Sequence, residues 1–476
     1  MSGPRNSAPP HCLTSHLTSP YDLPVLYLVG GKSPDIESKR DLIGYFSEAC
    51  KPREDWRIGT ENEMLGFLTG PSFVGQAVPY FGPRGLTNIL EALESGGWKP
   101  VREGDNIIAL TCRHDTQVSI EPGAQLEYAA RPHGHPANLA KDLQNFLDFI
   151  RKPSEEIGAK WVSSGFRMWG ELDDVCWVPK FRYNIMREYL PTRGSLAHEM
   201  MKRTATVQVN LDFGSELDAH RKMRAVMSTT SLLTAIYANS PIVNGKPNGF
   251  QSYRGHIWTD MDPDRCGLLD FVFEDGENFF EQYTEWALDV PLFFVHRDTY
   301  IPANGMTFRT FMKDGFQGQR ATMDDWGLHL STLFPDARMK KYLEIRGCDA
   351  NSYEMTLALG SFCCGFLYDD DACDEAIALT SSLSFDQRVE FGASVNREGL
   401  KASVPGSSAT AGDLARELVS ISAAGLGRVD ATQVSYLDPI REIVETGRSH
   451  ATRLLELWKQ HDGDPAKILP LLSYHQ

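Results

Sequence analysis

The chain has 476 residues, with 47 basic and 63 acidic side chains and a formal net charge of −16. Hydrophobic residues at 42% and charged residues at 23% suffice for a sizeable core, which argues against a largely disordered chain. The negative balance argues against a nucleic-acid coat or a general membrane-surface binder, and no run of about 18 apolar residues offers a transmembrane span.

Residues 1–38 are rich in Ser, Pro and Thr and lack a basic start followed by an apolar block. They read as a loose extension, not as a secretory signal, with a short transit peptide as the alternative. The cysteines, nine in number, are irregularly spaced and include no C-x-x-C, so they read as reduced thiols and the expected location is cytoplasmic. Residues 56–68 read as a strand and 86–95 as a helix ending at Gly96-Gly97. Segments 106–111 and 116–121 form a hairpin around 112–115. Further strands are expected at 124–129 and 161–169, with a helix over 136–150 that has Pro136 at its start. The strand at 204–213 is followed by a helix over 215–239, where Ser215 and Asp218 have the spacing of a capping box. Beyond residue 375 the pattern is helical, most clearly over 413–424 and 438–460. The Ser/Ala/Gly-rich stretch 403–412 divides a catalytic domain, 39–402, from a helical C-terminal part, 403–476, packed on the same domain. Strands in adjacent runs with tight connections predict an α+β protein whose antiparallel sheet carries helices on one side.

Residues two apart on a strand share a face. Glu61 and Glu63 therefore point the same way. Glu121, Gln125 and Glu127 share parity, although Pro122-Gly123 is placed to kink the strand. In 204–213, Ala205, Val207, Val209, Leu211 and Phe213 form an apolar face, and Thr204, Thr206, Gln208, Asn210 and Asp212 a polar one. If these strands are neighbours, four carboxylates converge and resist ionisation unless a cation accompanies them. Mg²⁺ with a nucleotide meets that need. The plainer alternative is that each stripe is the solvated face of a strand. A second group is basic: Lys180, Arg182 and Arg187, then Lys246 and Arg254 in a Gly/Asn-rich loop suited to carboxylates and phosphates. Lys202 reads as ordinary surface charge. Gly30-Gly31-Lys32-Ser33 lacks the first glycine of a phosphate loop, Asp260 to Arg265 lacks the glycine of a calcium loop, and His198-Glu199 has no second zinc-ligating histidine.

Ile58-Gly59-Thr60-Glu61-Asn62-Glu63, the stretch from Ser119 to Glu127, and the stretch from Arg203 to Phe213 resemble glutamate–cysteine ligase of the plant and proteobacterial type. Ala238-Asn239-Ser240-Pro241, the Gly245 to Asp260 loop and Ala287-Leu288-Asp289-Val290-Pro291 continue the resemblance in the same order, from about Asp41 to about Trp458. The resemblance implies a glutamine synthetase-like fold, in which a curved antiparallel sheet forms a funnel flanked by helices. It implies ATP-dependent joining of L-glutamate to L-cysteine, the first step of glutathione synthesis, with Mg²⁺ as cofactor. By matching positions, Glu61, Glu63, Glu121 and Glu127 would hold Mg²⁺, and Gln208 and Asn210 would lie beside the nucleotide. Arg254 with Tyr253 would bind substrate carboxylate. Lys180, Arg182 and Arg187 would face glutamate or phosphate groups, Arg187 and Arg254 acting in catalysis. The implied protein is a monomer or homodimer. The glycine-bearing loop 244–255 is the expected lid. Ala140 and Ala303-Asn304 stand where plant enzymes can carry regulatory cysteines, so thiol control of that kind is not expected. Asn62 and Met64 also depart from the plant motif, on the face opposite the glutamates. The competing reading within this chemistry is a γ-glutamyl ligase using another amine acceptor, and the competing reading outside it is a catalytically dead homologue.

Overall fold

In the computed structural model, the described residues are 33–112 and 116–474. Residues 1–32 of the expected extension and the hairpin tip at 113–115 lie outside them. The end of that extension is docked: Ile36 is buried and its N–H donates to Ala321 O at 2.9 Å, and Ser38 caps the helix Lys39–Ser47.

Alternating side chains build one sheet. Its nine strands among the described residues are β1 (Ile58–Leu68), β2 (Lys99–Glu103), β3 (Asn106–Thr111), β4 (Gln117–Ile120), β5 (Leu126–His133), β6 (Ala159–Val162), β7 (Val207–Leu211), β8 (Ala337–Met339) and β9 (Leu343–Ile345). The order is β8-β9-β7-β1-β5-β4-β3-β2, with β6 on the second half of β1, and every pairing is antiparallel. The α+β expectation holds, and the sheet stays open without closing into a barrel.

One face of this sheet is apolar. Met64, Val118, Ile120, Leu126 and Tyr128 pack with Leu139, Leu143 and Phe146 of the helix Pro136–Ile157. Tyr128 stacks on Phe146 with ring centroids 4.4 Å apart. Val207, Val209, Leu211, Leu343 and Ile345 join a larger core with the helices Glu216–Tyr237, Tyr353–Leu367 and Ala411–Asp430. Burial of this extent, at roughly 25 cal/mol per Å² of apolar surface, fixes the register, because a one-residue slip would turn each strand over.

Two expected elements are shorter in the structure. The strand expected at 161–169 ends at Val162 because Gly165 is pressed onto Asp349, where a Cβ would come within 2.4 Å of the carboxyl carbon. The helix expected over 438–460 breaks at Gly447, whose φ of +67° ends Asp438–Thr446 before His450–Gln460 begins. Ser215 Oγ accepts from Asp218 N–H at 3.1 Å, as expected, but the Asp218 carboxylate accepts from Gly214 N–H and Lys222 instead of closing a capping box.

Candidate active site

The opposite face of the sheet is polar in the middle. On β1, Gly59, Glu61 and Glu63 point to it, and beyond them Leu65 and Phe67 run under an apolar cap that includes Trp458. Glu63 stands directly opposite Glu127 on β5, and Glu61 opposite Gln208 on β7. Asn210 comes next to Glu344 on β9. Asn210 Nδ2 donates to Glu61 Oε1 at 2.9 Å, Thr206 N–H donates to Glu63 Oε2 at 2.9 Å, and Ser119 Oγ donates to Glu127 Oε1 at 2.6 Å. Glu121 lies in the β4–β5 turn and accepts from Tyr183 Oη at 3.3 Å. The structure thus brings Glu61, Glu63, Glu121 and Glu127 into one neighbourhood.

Gln125 is not part of it. Gly123, whose Cβ would meet Lys202 O at 2.0 Å, and Ala124, at φ +63°, turn the chain there. Gln125 braces this turn by donating to Met201 O and Thr204 O.

These carboxyls are desolvated and repel one another. Burial, then Glu121 and Glu127, push Glu63 well above the usual range. Burial, then Glu121 and Glu61, push Glu127 up to about 8. Burial and Glu344 raise Glu61. Such groups favour a cation or a proton beside them.

Positive charge stands at both ends of the row. Lys180 is buried at the start of the helix Phe181–Tyr189, its Nζ 3.5 Å from Tyr183 Oη. Burial lowers its pKa, and Glu121 works against that. Arg182, two residues on, is drawn to Tyr183, Tyr300, Glu121 and Glu103, and its Nε is buried without a partner. Arg187 sits over the Trp177 ring at 5.9 Å. The main cations acting on Glu63 and Glu127 are Arg254 and Lys180. At the other end Arg254 is buried and faces Asp349 and Glu63. Its neighbour Tyr253 packs edge-on against Phe166, with centroids 5.1 Å apart.

Sequence reasoning missed the strand pair β8–β9. Arg338 donates to Glu344 through Nε and Nη2, Lys340 Nζ lies 3.1 Å from the same carboxylate, and Arg346 also donates to it. Although burial would raise Glu344, Arg338, Lys340 and Arg346 hold it far below the usual carboxylate range. Arg346 Nη1 also donates to Gln208 Oε1 at 2.7 Å. Arg338, Lys340, Glu344 and Arg346 are all even-numbered, and that alternation was the available signal.

The model of the Glutamate-cysteine ligase family 2 matches residues 57–469. The chain belongs to this family. Chloroplastic glutamate–cysteine ligases of Medicago truncatula and Nicotiana tabacum are each 40% identical to it, over 88% of this chain and 82% and 80% of their own lengths. The enzyme of Arabidopsis thaliana is 39% identical over 88% of this chain and 80% of its own. Among solved structures, a Francisella tularensis glutamate–cysteine ligase in complex with AMP superposes with a TM-score of 0.56 at 12% identity, covering 88% of this chain and 87% of that one, a likeness of fold.

This family member is therefore a ligase. The cytoplasmic location expected from its sequence does not stand, because these relatives are chloroplastic; cysteine spacing and an unpatterned first segment did not carry that information. Among the described residues no helix is long and apolar enough to cross a membrane.

The donor chemistry suits Mg²⁺, a hard cation that takes carboxylate oxygens and relieves their repulsion. Among the described residues no three Asp, Glu, His or Cys side chains form a ready-made metal cage. The four glutamates would therefore hold Mg²⁺ only with waters and substrate phosphates completing its shell.

Proposed function

We propose that the protein joins the γ-carboxylate of L-glutamate to the amine of L-cysteine at the expense of ATP, giving γ-glutamylcysteine, ADP and phosphate. The observation that carries this reading is the desolvated row Glu61, Glu63 and Glu127 with Glu121 at its end, set between Lys180/Arg182 on one side and Arg338/Lys340/Arg346 on the other. A carboxylate does not acylate an amine, because oxide would have to leave. The γ-carboxylate oxygen therefore attacks the γ-phosphorus, the bond to ADP breaks, and a γ-glutamyl phosphate forms. The amine then attacks the acyl carbon and phosphate departs.

Glu61, Glu63, Glu121 and Glu127 are the residues that would hold Mg²⁺, which supplies charge neutralisation for the phosphates. The chain itself positions the reactants and offsets charge. Arg346, bridging Gln208 and Glu344, is placed to meet phosphate oxygens, and Asn210 Oδ1, buried and without a partner, offers an acceptor on the floor beside them. Arg254, Tyr253, Lys180 and Arg182 are assigned to the substrate, with Arg187 beyond them. The acyl phosphate must be kept from water. Loop 244–255, the expected lid, is held here by three hydrogen bonds: Gly245 N–H donates to Met168 O, Arg203 Nη2 to Asn244 Oδ1, and Asn248 N–H to Pro241 O. By its relatives, we assign the protein to a plastid.

The test is phosphate release by the purified chain with ATP, Mg²⁺ and glutamate, with and without cysteine, the product being read by mass spectrometry. Release that cysteine leaves unchanged, with no γ-glutamylcysteine formed, would reject the reading.

A further inference from the structure

The helix Phe181–Tyr189, which carries cations at one end of the carboxylate row, is pinned to the sheet at two points. Tyr183 Oη donates to Ile120 O at 3.2 Å, at the end of β4, and to Glu121 just beyond it. Glu103, the last residue of β2, accepts through Oε2 from Phe181 N–H, the first N–H of the helix. β2 and β4 flank β3, so the two anchors stand two strands apart, about 10 Å. The helix has no local cap, because Lys180 holds the N-cap position and its side chain makes no cap hydrogen bond. A carboxylate 78 residues earlier in the chain takes that place, at the end of the helix where the dipole favours negative charge.

Glu103 is buried, and burial raises its carboxyl while Phe181 N–H, Lys180 and Arg182 pull it back. The same two cations also feel Glu121, and they lie over one ring, that of Tyr183, at 5.3 and 5.6 Å from its centroid. Glu103 Oε1 and Arg182 Nε are each buried without a partner, so carboxylate and guanidinium attract one another without being bonded through these atoms. Two cations are thus divided between a carboxylate behind them and one in the row. We propose that Glu103 is a positioning residue of the ligase reaction: by capping this helix and balancing Glu121, it keeps Lys180 and Arg182 from collapsing onto the carboxylate row and leaves them turned to the anionic substrate. The assignment rests on the ligase reading above. Without the Glu103 charge, Glu121 and Glu127 remain as the carboxylates acting on Lys180, and both belong to the row.

The experiment is steady-state kinetics on the full chain, varying one substrate at a time. Glu103→Gln keeps an oxygen for Phe181 N–H and removes the charge. It is expected to raise KM for glutamate at least fivefold and to leave KM for ATP and cysteine within twofold. Glu103→Asp keeps the charge on a shorter arm, and its KM for glutamate is expected to fall between those of the parent and Glu103→Gln. A residue that only capped the helix would give the reverse order, with Glu103→Asp the worse of the two. That order, three constants rising in step, or no change in Glu103→Gln overturns the proposal. If Glu103→Gln does not fold, Glu103→Asp decides: a rise confined to glutamate supports the proposal and any other result overturns it. If the wild type shows no turnover, the ligase reading has failed instead, and hydrogen exchange in Glu103→Ala tests the hold on the helix. Exchange at least tenfold faster over 181–184, with β7 unchanged, supports that hold, and unchanged exchange overturns it.

Discussion

Glu63 and Glu127 face each other across the β1–β5 ladder, two carboxyls that burial and neighbouring carboxylates, Glu121 foremost, push toward the protonated form. Such a pair destabilises the protein when nothing positive lies between or beside it. Replacing either by Gln is therefore expected to raise the unfolding temperature in EDTA while lowering ligase turnover at least a hundredfold. Mg²⁺ should raise the midpoint of the parent more than that of either variant, because ligand binding to the native state stabilises it. Thermal scans in EDTA and in Mg²⁺, beside turnover assays, check both halves. A variant less stable than its parent in EDTA would show that the opposed pair is not under strain.

Much of this face was legible because β7 alternates without interruption: Gln208 and Asn210 fall on one side, and Val207, Val209 and Leu211 on the other. The carboxylates were legible for the same reason on β1. Parity failed at Gln125, since Gly123 and a left-handed Ala124 reset the count between Glu121 and Glu127. The β8–β9 cluster escaped because each strand has three residues and a turn closed by Lys340 N–H to Tyr342 O separates them, so neither half shows a strand-length pattern. Charge counting grouped Arg187 with Lys180 and Arg182, but which ring a guanidinium lies over depends on tertiary packing. The plastid location of the relatives left no mark on periodicity or spacing.

Asp349 is the hinge pin of Arg254. Its Oδ2 accepts from Asn239 N–H at 2.9 Å and Ser240 Oγ at 2.6 Å, and its Oδ1 from Ser252 Oγ at 2.8 Å. Ser240 Oγ in turn accepts from Arg254 N–H, and Ser252 caps the helix that carries Arg254. Asp349→Asn turns one acceptor into a donor facing these hydroxyls. The expected result is a fivefold or greater rise in KM for an amino-acid substrate with a smaller change in KM for ATP, and partial recovery in Asp349→Glu is not expected because Gly165 leaves no room. Equal changes in all three constants would mark a general loss of fold instead.

Tyr474 reaches behind the glutamate-bearing strand. Its Oη lies 3.2 Å from Asn62 Oδ1, 3.1 Å from Ser163 Oγ and 2.8 Å from Asn351 O, while its N–H donates to Trp161 O. Tyr474→Phe leaves buried acceptors without that hydroxyl and should cost about 1–3 kcal/mol of stability. Asn62 points away from Glu61 and Glu63, so turnover per folded molecule should fall by less than threefold. Urea unfolding and assays at matched folded fraction separate the two effects.

His329 sets an acid limit on stability. Its Nε2 lies 2.8 Å from Ala287 O and its ring stacks on Phe308, which assigns it the neutral form with Nε2–H donating. Burial, only partly offset by that bond, lowers its pKa to about 3. The unfolded side chain titrates near 6.5, so between pH 6.5 and 3 the unfolded state binds the extra proton and stability falls as the pH is lowered. From pH 7 to pH 5 this one group should remove about 2 kcal/mol. In His329→Gln the amide keeps a donor for Ala287 O but does not titrate. Its loss between those pH values should be smaller than the parent's by about that amount. Chemical denaturation at the two pH values measures the difference, and an unchanged loss in the variant would show that the acid sensitivity arises elsewhere, for instance at His450, whose pKa burial lowers to about 4.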